Sequence, residues 1–504
     1  MPLTKRFKTQ KYFNVSHIRT SNIFTTFAKK MKNFFLLIFL FCSSINIFAQ
    51  QEWSIEQCIN YGVQNSLNIK NQALNAEISK ANHLQSKLSL LPDINAAATH
   101  NYNYGKVVDP FTNQFSMDRI QTNNFYLASS MVLFNGLKLL NNIKEQMSNA
   151  KAAELLLKKT ENDVMLNIAT LYLQVIFDSL NITTINQQVI LSEQQVNRAE
   201  ILYESGSISE DNLLNLQAQL ASEQSNLITA QGRYELDMLA LKQAMYYNDS
   251  IPLRIKIPTD LQPIIDKHTN IPPLDSILFY AYNNLPDIKA AEWQLQAAKY
   301  SFRATKGNFS PSLSLSLSYG TGYSTASKEF TDYEINGFDT IGITTGTPPD
   351  YVISPHFNYN YQTIPFRNQL NDNINQSIGF NLQIPIFNRG IYHNQYQIGK
   401  INLQIAENNL EQTKLSLRNV IEQAYYDMVA AQKKLDASNL YLKAQKIAYE
   451  NQQERFELGL LSSIDFMNSK NQYTQAEIQQ LQASVELLFR YIILDFYQGK
   501  SLSL

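Results

Sequence analysis

Ser312-Leu313-Ser314-Leu315-Ser316-Leu317-Ser318-Tyr319 alternates small polar and apolar side chains without a break. In an extended chain successive side chains point to opposite faces, so this stretch gives a strand with one apolar and one polar face. Ile378-Gly379-Phe380-Asn381-Leu382-Gln383-Ile384-Pro385-Ile386 has the same period. Two weaker relatives lie upstream. One carries Phe125, Leu127, Met131 and Leu133 on a single face, interrupted by Ser129; the other, Ile94–Tyr104, carries Ala96, Ala98, Tyr102 and Tyr104. Four strands are therefore expected, at about 94–104, 124–134, 312–320 and 376–386. A tilted strand of about 9–11 residues crosses a bilayer.

The strands sit inside a duplicated plan. Ile69 matches Ile288 and Pro92 matches Pro311, both at an offset of 219 residues. Further on, Leu133-Phe134-Asn135-Gly136 matches Ile386-Phe387-Asn388-Arg389-Gly390, and Tyr203-Glu204-Ser205-Gly206 matches Phe456-Glu457-Leu458-Gly459, at an offset of 253. The difference is an insertion of 34 residues between Pro311 and Phe387. Self-similarity at fixed spacing marks a repeated architectural unit. The expected units are residues 50–262 and 263–504. The strand pairs are expected to be joined by long loops at 105–122 and 320–372.

Between strands and turns run long segments free of Pro, the first of them also free of Gly. Leu137–Tyr203 is such a stretch of 67 residues, about 100 Å as a helix. The next, Ser207–Asn248, gives about 60 Å, and Asn68–Leu91 about 35 Å. The second copy repeats the sum with 391–456, 460–497 and 287–309, so two shorter helices end to end match one long one. Leu417, Ile421, Ala424, Met428, Ala431, Leu435 and Leu442 follow the 3-4 spacing of a coiled-coil seam, interrupted at Ser438.

The N-terminus reads as an export signal over residues 1–49. Lys29-Lys30-Met31-Lys32 precedes an apolar run from Phe34 to Phe41, then Ser43, Ser44 and Ala49-Gln50. Met31 is expected to be the translation start, and residues 1–30 need not be translated. Residues 1–49 hold eight basic and no acidic side chains; without them 34 basic residues face 43 acidic ones, a net of −9. Such a balance argues against nucleic acid as a partner. Past residue 50 no apolar run is expected to span a membrane as a helix, so entry into a membrane requires a β-barrel. Four strands cannot close one, because the smallest have about eight. Several chains must then share a barrel.

In order, duplication and spacing these features resemble the TolC-type outer-membrane efflux proteins over about residues 52–498. The carriers are Trp53-Ser54-Ile55-Glu56-Gln57-Cys58-Ile59 with Asn65, the helix ends Leu91-Pro92 and Ser310-Pro311, the two strand exits, and Arg455-Phe456-Glu457-Leu458-Gly459-Leu460-Leu461-Ser462. The resemblance implies a mainly α fold with a small membrane β portion. Three chains would supply four strands each to a 12-stranded barrel and, together, 12 helical rods to a periplasmic tunnel. It implies a homotrimer in outer-membrane lipid, partnered by a periplasmic adaptor and an inner-membrane pump, and acting as a passive exit duct.

The resemblance also implies that Gly206 and Gly459 are the periplasmic tip turns. It places a constriction around them, with acidic positions six and nine residues after the second Gly. Those positions are Asp465 and Asn468, and their first-copy equivalents are Asn212 and Asn215. The gating aromatic corresponds to Phe456, with Tyr203 as its equivalent, and Leu461 replaces a basic residue. The competing reading is a non-conducting exported coiled-coil stalk or adhesin. No cofactor, metal site or enzymatic activity is expected. The six His are not at metal-ligand spacing, and HExxH, GxSxG and P-loop patterns are all missing from the sequence.

Overall fold

The structure is a computed structural model. It describes residues 52–108, 113, 115–116, 119–248, 252–258, 260–267 and 272–500. The expected signal segment 1–49 lies outside the described residues. By its internal contacts the chain divides into two units. In the smaller, Trp53 bridges Ile255 in parallel, donating its N–H to Arg254 O and accepting from Lys256 N.

The larger unit, Ser54–Ile251 with Ile257–Leu504, runs through the same series twice. The first pass is α1 (Ile55–Asn65), α2 (Leu67–Leu88), β1 (Asp93–Asn103), β2 (Val107–Val108), β3 (Phe115–Ser116), β4 (Ile120–Asn135), α3 (Lys138–Glu204) and α4 (Glu210–Met245). A short α5 (Gln262–Asp266) follows. The second pass is α6 (Leu274–Asn284), α7 (Pro286–Gly307), β5 (Ser312–Ser324), β6 (Lys328–Ile343), β7 (Tyr351–Thr363), α8 (Phe366–Asp372), β8 (Asn375–Gln383), α9 (Ile391–Glu457) and α10 (Ser463–Tyr497). Helices α3 and α9 each have 67 residues, about 100 Å.

Local chemistry explains the helix boundaries. Ser54 and Gln57 form a reciprocal capping box that opens α1. Ser66 ends α1 and caps α2, accepting from Ile69 N. Before α3, Gly136 and Leu137 take φ of +65° and +63°, and before α9 Arg389 and Gly390 take +56° and +75°. These left-handed pairs turn each strand sharply into its long helix.

Four strands form one antiparallel sheet in the order β1-β4-β5-β8. Its register lines up Ala96 with Leu127, Leu127 with Tyr319, Leu315 with Phe380 and Leu317 with Ile378. One face is thus apolar, and Ile378, Phe380 and Leu382 are exposed on it at 59–73%. The other face carries Ser316, Ser318, Ser377 and Asn381. Here Ser318 and Ser377 hydroxyls lie 2.8 Å apart. An apolar face left uncovered by the chain matches a bilayer, with the polar face turned to water. The strand expected to reach Ile386 stops at Gln383, because Pro385 has no N–H to give the ladder.

Neighbouring helices keep the strand order. Above the tips, α2 packs on α3, α3 on α7 and α7 on α9, so the layer α2-α3-α7-α9 continues the sheet β1-β4-β5-β8. The seam Leu417, Ile421, Ala424, Met428, Ala431 and Leu435 is buried, whereas Leu442 is half-buried. One expectation needs correcting: by length and composition α3 does contain a stretch apolar enough to cross a bilayer. Its Ile168, Ala169, Tyr172, Leu173, Val175 and Ile176 are buried among neighbouring helices instead.

The expected loop 320–372 is also corrected. It holds the end of β5, the β6–β7 hairpin and α8. Irregularities between Phe330/Asp332, Ile335/Phe338 and Thr340/Gly342 break the period-2 pattern along the chain, so the strands are hidden from a periodicity reading. Gln369, 1% exposed, fixes the base. Its side-chain amide donates to Ser324 O and Ile364 O and accepts from Ser324 N. In effect it stands in for a ladder partner where β5 ends.

Candidate functional site at the helical hairpin tips

Two antiparallel hairpins, α3–α4 and α9–α10, end in matching turns. Gly206 N donates to Tyr203 O and Ser207 N to Leu202 O; Gly459 N donates to Phe456 O and Leu460 N to Arg455 O. Both glycines have φ of +72° and open space where a Cβ would stand. Conformation, not crowding, calls for Gly at each turn.

Asp465 lies in the first turn of α10, where its backbone N–H donates to the Ser462 cap and its carboxylate accepts from Ser462 Oγ at 2.7 Å. Asp465, Asn468 and Tyr203 are exposed. Asn212 is half-buried and accepts from Ser463 Oγ at 2.7 Å, tying the two hairpins together; Asn215 is half-buried beside it. Phe456 is half-buried within the chain itself. It stacks on Phe466 with centroids 4.5 Å apart and packs on a core of Val196, Ala199, Leu213 and Leu216. The structure therefore brings Asn212 to α10 and Phe456 to the α3–α4 hairpin, and leaves Asp465, Asn468 and Tyr203 facing outward.

One cluster escaped the sequence reading. Lys470, 1% exposed, donates to both carboxylate oxygens of Glu223 at 3.1 and 3.2 Å, to Gln188 O at 3.1 Å, and to Ser192 Oγ. Ser192 Oγ donates to Glu223 at 2.6 Å, and Gln219 reaches both Glu223 and Asn471 at 2.8 Å. The network links α3, α4 and α10. Burial pulls the Lys470 ammonium below the usual lysine range, against the opposing pull of Glu223. The signal was present in the sequence. Glu223 interrupts the seam Leu213, Leu216, Leu220, Ala230, and Lys470 follows Phe466 by four residues, a seam interval.

Farther from the tips, Asp178 of α3 is buried. Burial first, then the neighbouring Asp237 carboxylate, pushes its carboxyl up to about 7, with Gln174 and Arg233 opposing. Among the described residues no cluster of His, Cys, Asp and Glu could hold a metal.

The profile of a family described as outer membrane efflux protein matches residues 60–245 and 280–499. Among solved structures, CusC superposes with a TM-score of 0.72 at 16% identity, covering 89% of this chain and 93% of that one. VceC from Vibrio cholerae gives 0.69 at 15%, covering 89% and 97%. CmeC of Campylobacter jejuni, an outer membrane channel, gives 0.69 at 17%, covering 89% and 87%. Among curated proteins, none matches. These structures share the fold, and with the profile matched along most of its length the chain belongs to the outer membrane efflux protein family, seated in the outer membrane with its helices in the periplasm.

Proposed function

We propose that the chain is one subunit of a homotrimeric channel-tunnel, the passive exit duct of a tripartite efflux or type I secretion system. An interface made once and left open once carries the reading. A Cβ on Gly136 would lie 2.5 Å from Ser310 Cβ and 2.6 Å from Gly307 O, so this turn packs on the end of α7. The equivalent turn at Gly390 meets nothing within 4 Å. By the offset of 219, the counterpart of Gly307–Ser310 is Leu88–Leu91, where Leu88 and Leu91 are 52% and 61% exposed. A second copy would bring that open turn to that open helix end.

The flanking seams agree. Leu67, Leu74, Ile78 and Leu88 of α2, and Ile391, Ile398, Ile401 and Ile405 of α9, follow coiled-coil spacing yet are exposed. Strands β1 and β8 are sheet edges, which lipid does not tolerate unpaired. Repeating one head-to-tail contact closes a ring, and three copies make a barrel of 12 strands. In this duct the tips at Gly206 and Gly459 form the entrance, with Asp465, Asn468, Asn212, Asn215, Tyr203 and Phe456 around it. A periplasmic adaptor grips near the tips and an inner-membrane pump supplies cargo; the duct itself performs no catalysis.

The test is a heat-modifiable trimer in outer-membrane fractions together with single-channel conductance in planar bilayers. A monomer in the periplasm would refute the reading. A trimer without conductance would favour a stalk.

A further inference from the structure

The β6–β7 hairpin is two-faced. Its register pairs Phe330 with Tyr361, Tyr333 with Tyr359 and Ile335 with Phe357, and ring centroids of Tyr333 and Phe357 lie 5.1 Å apart. These six side chains share one face and are 38–59% exposed. The opposite face carries Glu329, Asp332, Glu334 and Asp339 against Gln362, Asn360, Asn358 and Ser354. At about 3.3 Å per residue the 13 residues of β7 extend about 43 Å, and two strands make a face of roughly 400 Å². The largest apolar patch on a typical monomer is of this order, about 300–600 Å², and is often an interaction site. An isolated two-stranded hairpin is also marginal in water. Something covers the aromatic face.

We infer that it is covered by the same hairpin of the other copies, so that the hairpins form one bundle beyond the outer end of the sheet. The inference rests on the self-association proposed above. Position supports it: the hairpin leaves β5 and returns through α8 into β8, the open edge where the next copy joins. Its base is held by Gln369, and Phe366 packs on Tyr323 and Phe125, so each copy presents the hairpin alike. Charge supports it as well. Residues 328–363 hold five acidic side chains and one basic, which disfavours docking on an anionic lipid surface. In a bundle the acidic faces point outward to water while ring meets ring, as aromatic pairs prefer.

The test uses the full-length protein carrying Tyr359→Cys or Tyr333→Cys, treated with a short bis-maleimide in intact outer membranes. Asn358→Cys, on the acidic face, and the wild type with its buried Cys58 are the controls. The expected result is covalently linked multimers from both aromatic-face variants, at least fivefold above Asn358→Cys. A heat-modifiable, conducting trimer in which the aromatic-face variants link no more than Asn358→Cys would overturn the bundle and leave the duct intact. That outcome would assign the face to lipid or to another protein. Absence of any trimer would overturn both.

Discussion

Lys470 Nζ lies 3.1 and 3.2 Å from the two carboxylate oxygens of Glu223, a residue 247 positions earlier, and neither side chain is open to water. The pair joins the second-copy helix α10 to the first-copy hairpin just above the tips. Ser192, Gln219 and the Gln188 carbonyl complete its hydrogen bonds.

Removing one partner strands the other. Lys470→Ala is expected to cost about 3–5 kcal/mol, because an unpaired buried carboxylate remains. Lys470→Met with Glu223→Gln should recover most of that loss. Apparent unfolding midpoints of the purified protein in detergent measure the difference. Equal losses in the single and double variants would show that the pairing contributes nothing.

Asp178 makes stability depend on pH. Its folded carboxyl titrates at about 7, above the unfolded value of about 4. Between those values the folded state holds more protons, so stability falls as pH rises from about 4 to about 7 and levels off beyond. Thermal melts across this window should lose that slope in Asp178→Asn. A slope retained in the variant assigns it to another group.

The glycines separate conformation from space. Gly206→Ala and Gly459→Ala keep open surroundings but force a side chain to φ of +72°, at about 1–2 kcal/mol each. Gly136→Ala adds a collision with Ser310 and Gly307 and should lower the melting midpoint further than either tip variant. A tip variant as damaging as Gly136→Ala would place an unseen contact at the tip.

The Asp465 carboxylate can be split into hydrogen-bond acceptor and charge. Asp465→Asn keeps an acceptor for Ser462 Oγ while removing the negative charge; Asp465→Ala removes both. If Asp465 lines the entrance of the proposed trimer, both variants lower cation selectivity in planar bilayers, since three copies would focus a negative potential in a narrow path. Only Asp465→Ala should also lower stability, by about 0.5–1.5 kcal/mol, because the hydrogen bond from Ser462 Oγ is lost. Unchanged selectivity in both would reject the role.

Much of the fold was legible along the chain. The two long helices, their turns at Gly206 and Gly459 and the seam from Leu417 to Leu435 follow from stretches without Pro, the placing of the turn glycines and a 3-4 period. The β6–β7 hairpin was not legible. Its three irregularities shift the face of successive residues, so Phe330, Tyr333 and Ile335 share a face without regular spacing. At the tips, the resemblance drew attention to Asp465 and Phe456. Lys470 and Glu223 each stand at a seam position of their own helix, but only the fold shows that they meet.

The chain by itself determined what neighbours along it encode: periodicity, helix length, turn position and the doubling of one plan. Tertiary structure decided which surfaces meet. It set the order β1-β4-β5-β8, packed Phe456 on a first-copy core and buried Lys470 against Glu223. It also left the Gly390 turn open while filling its twin at Gly136. The physical reason is range. A period is written within one turn or two residues, whereas burial and charge pairing depend on groups some 250 positions apart, whose meeting only the folded chain arranges.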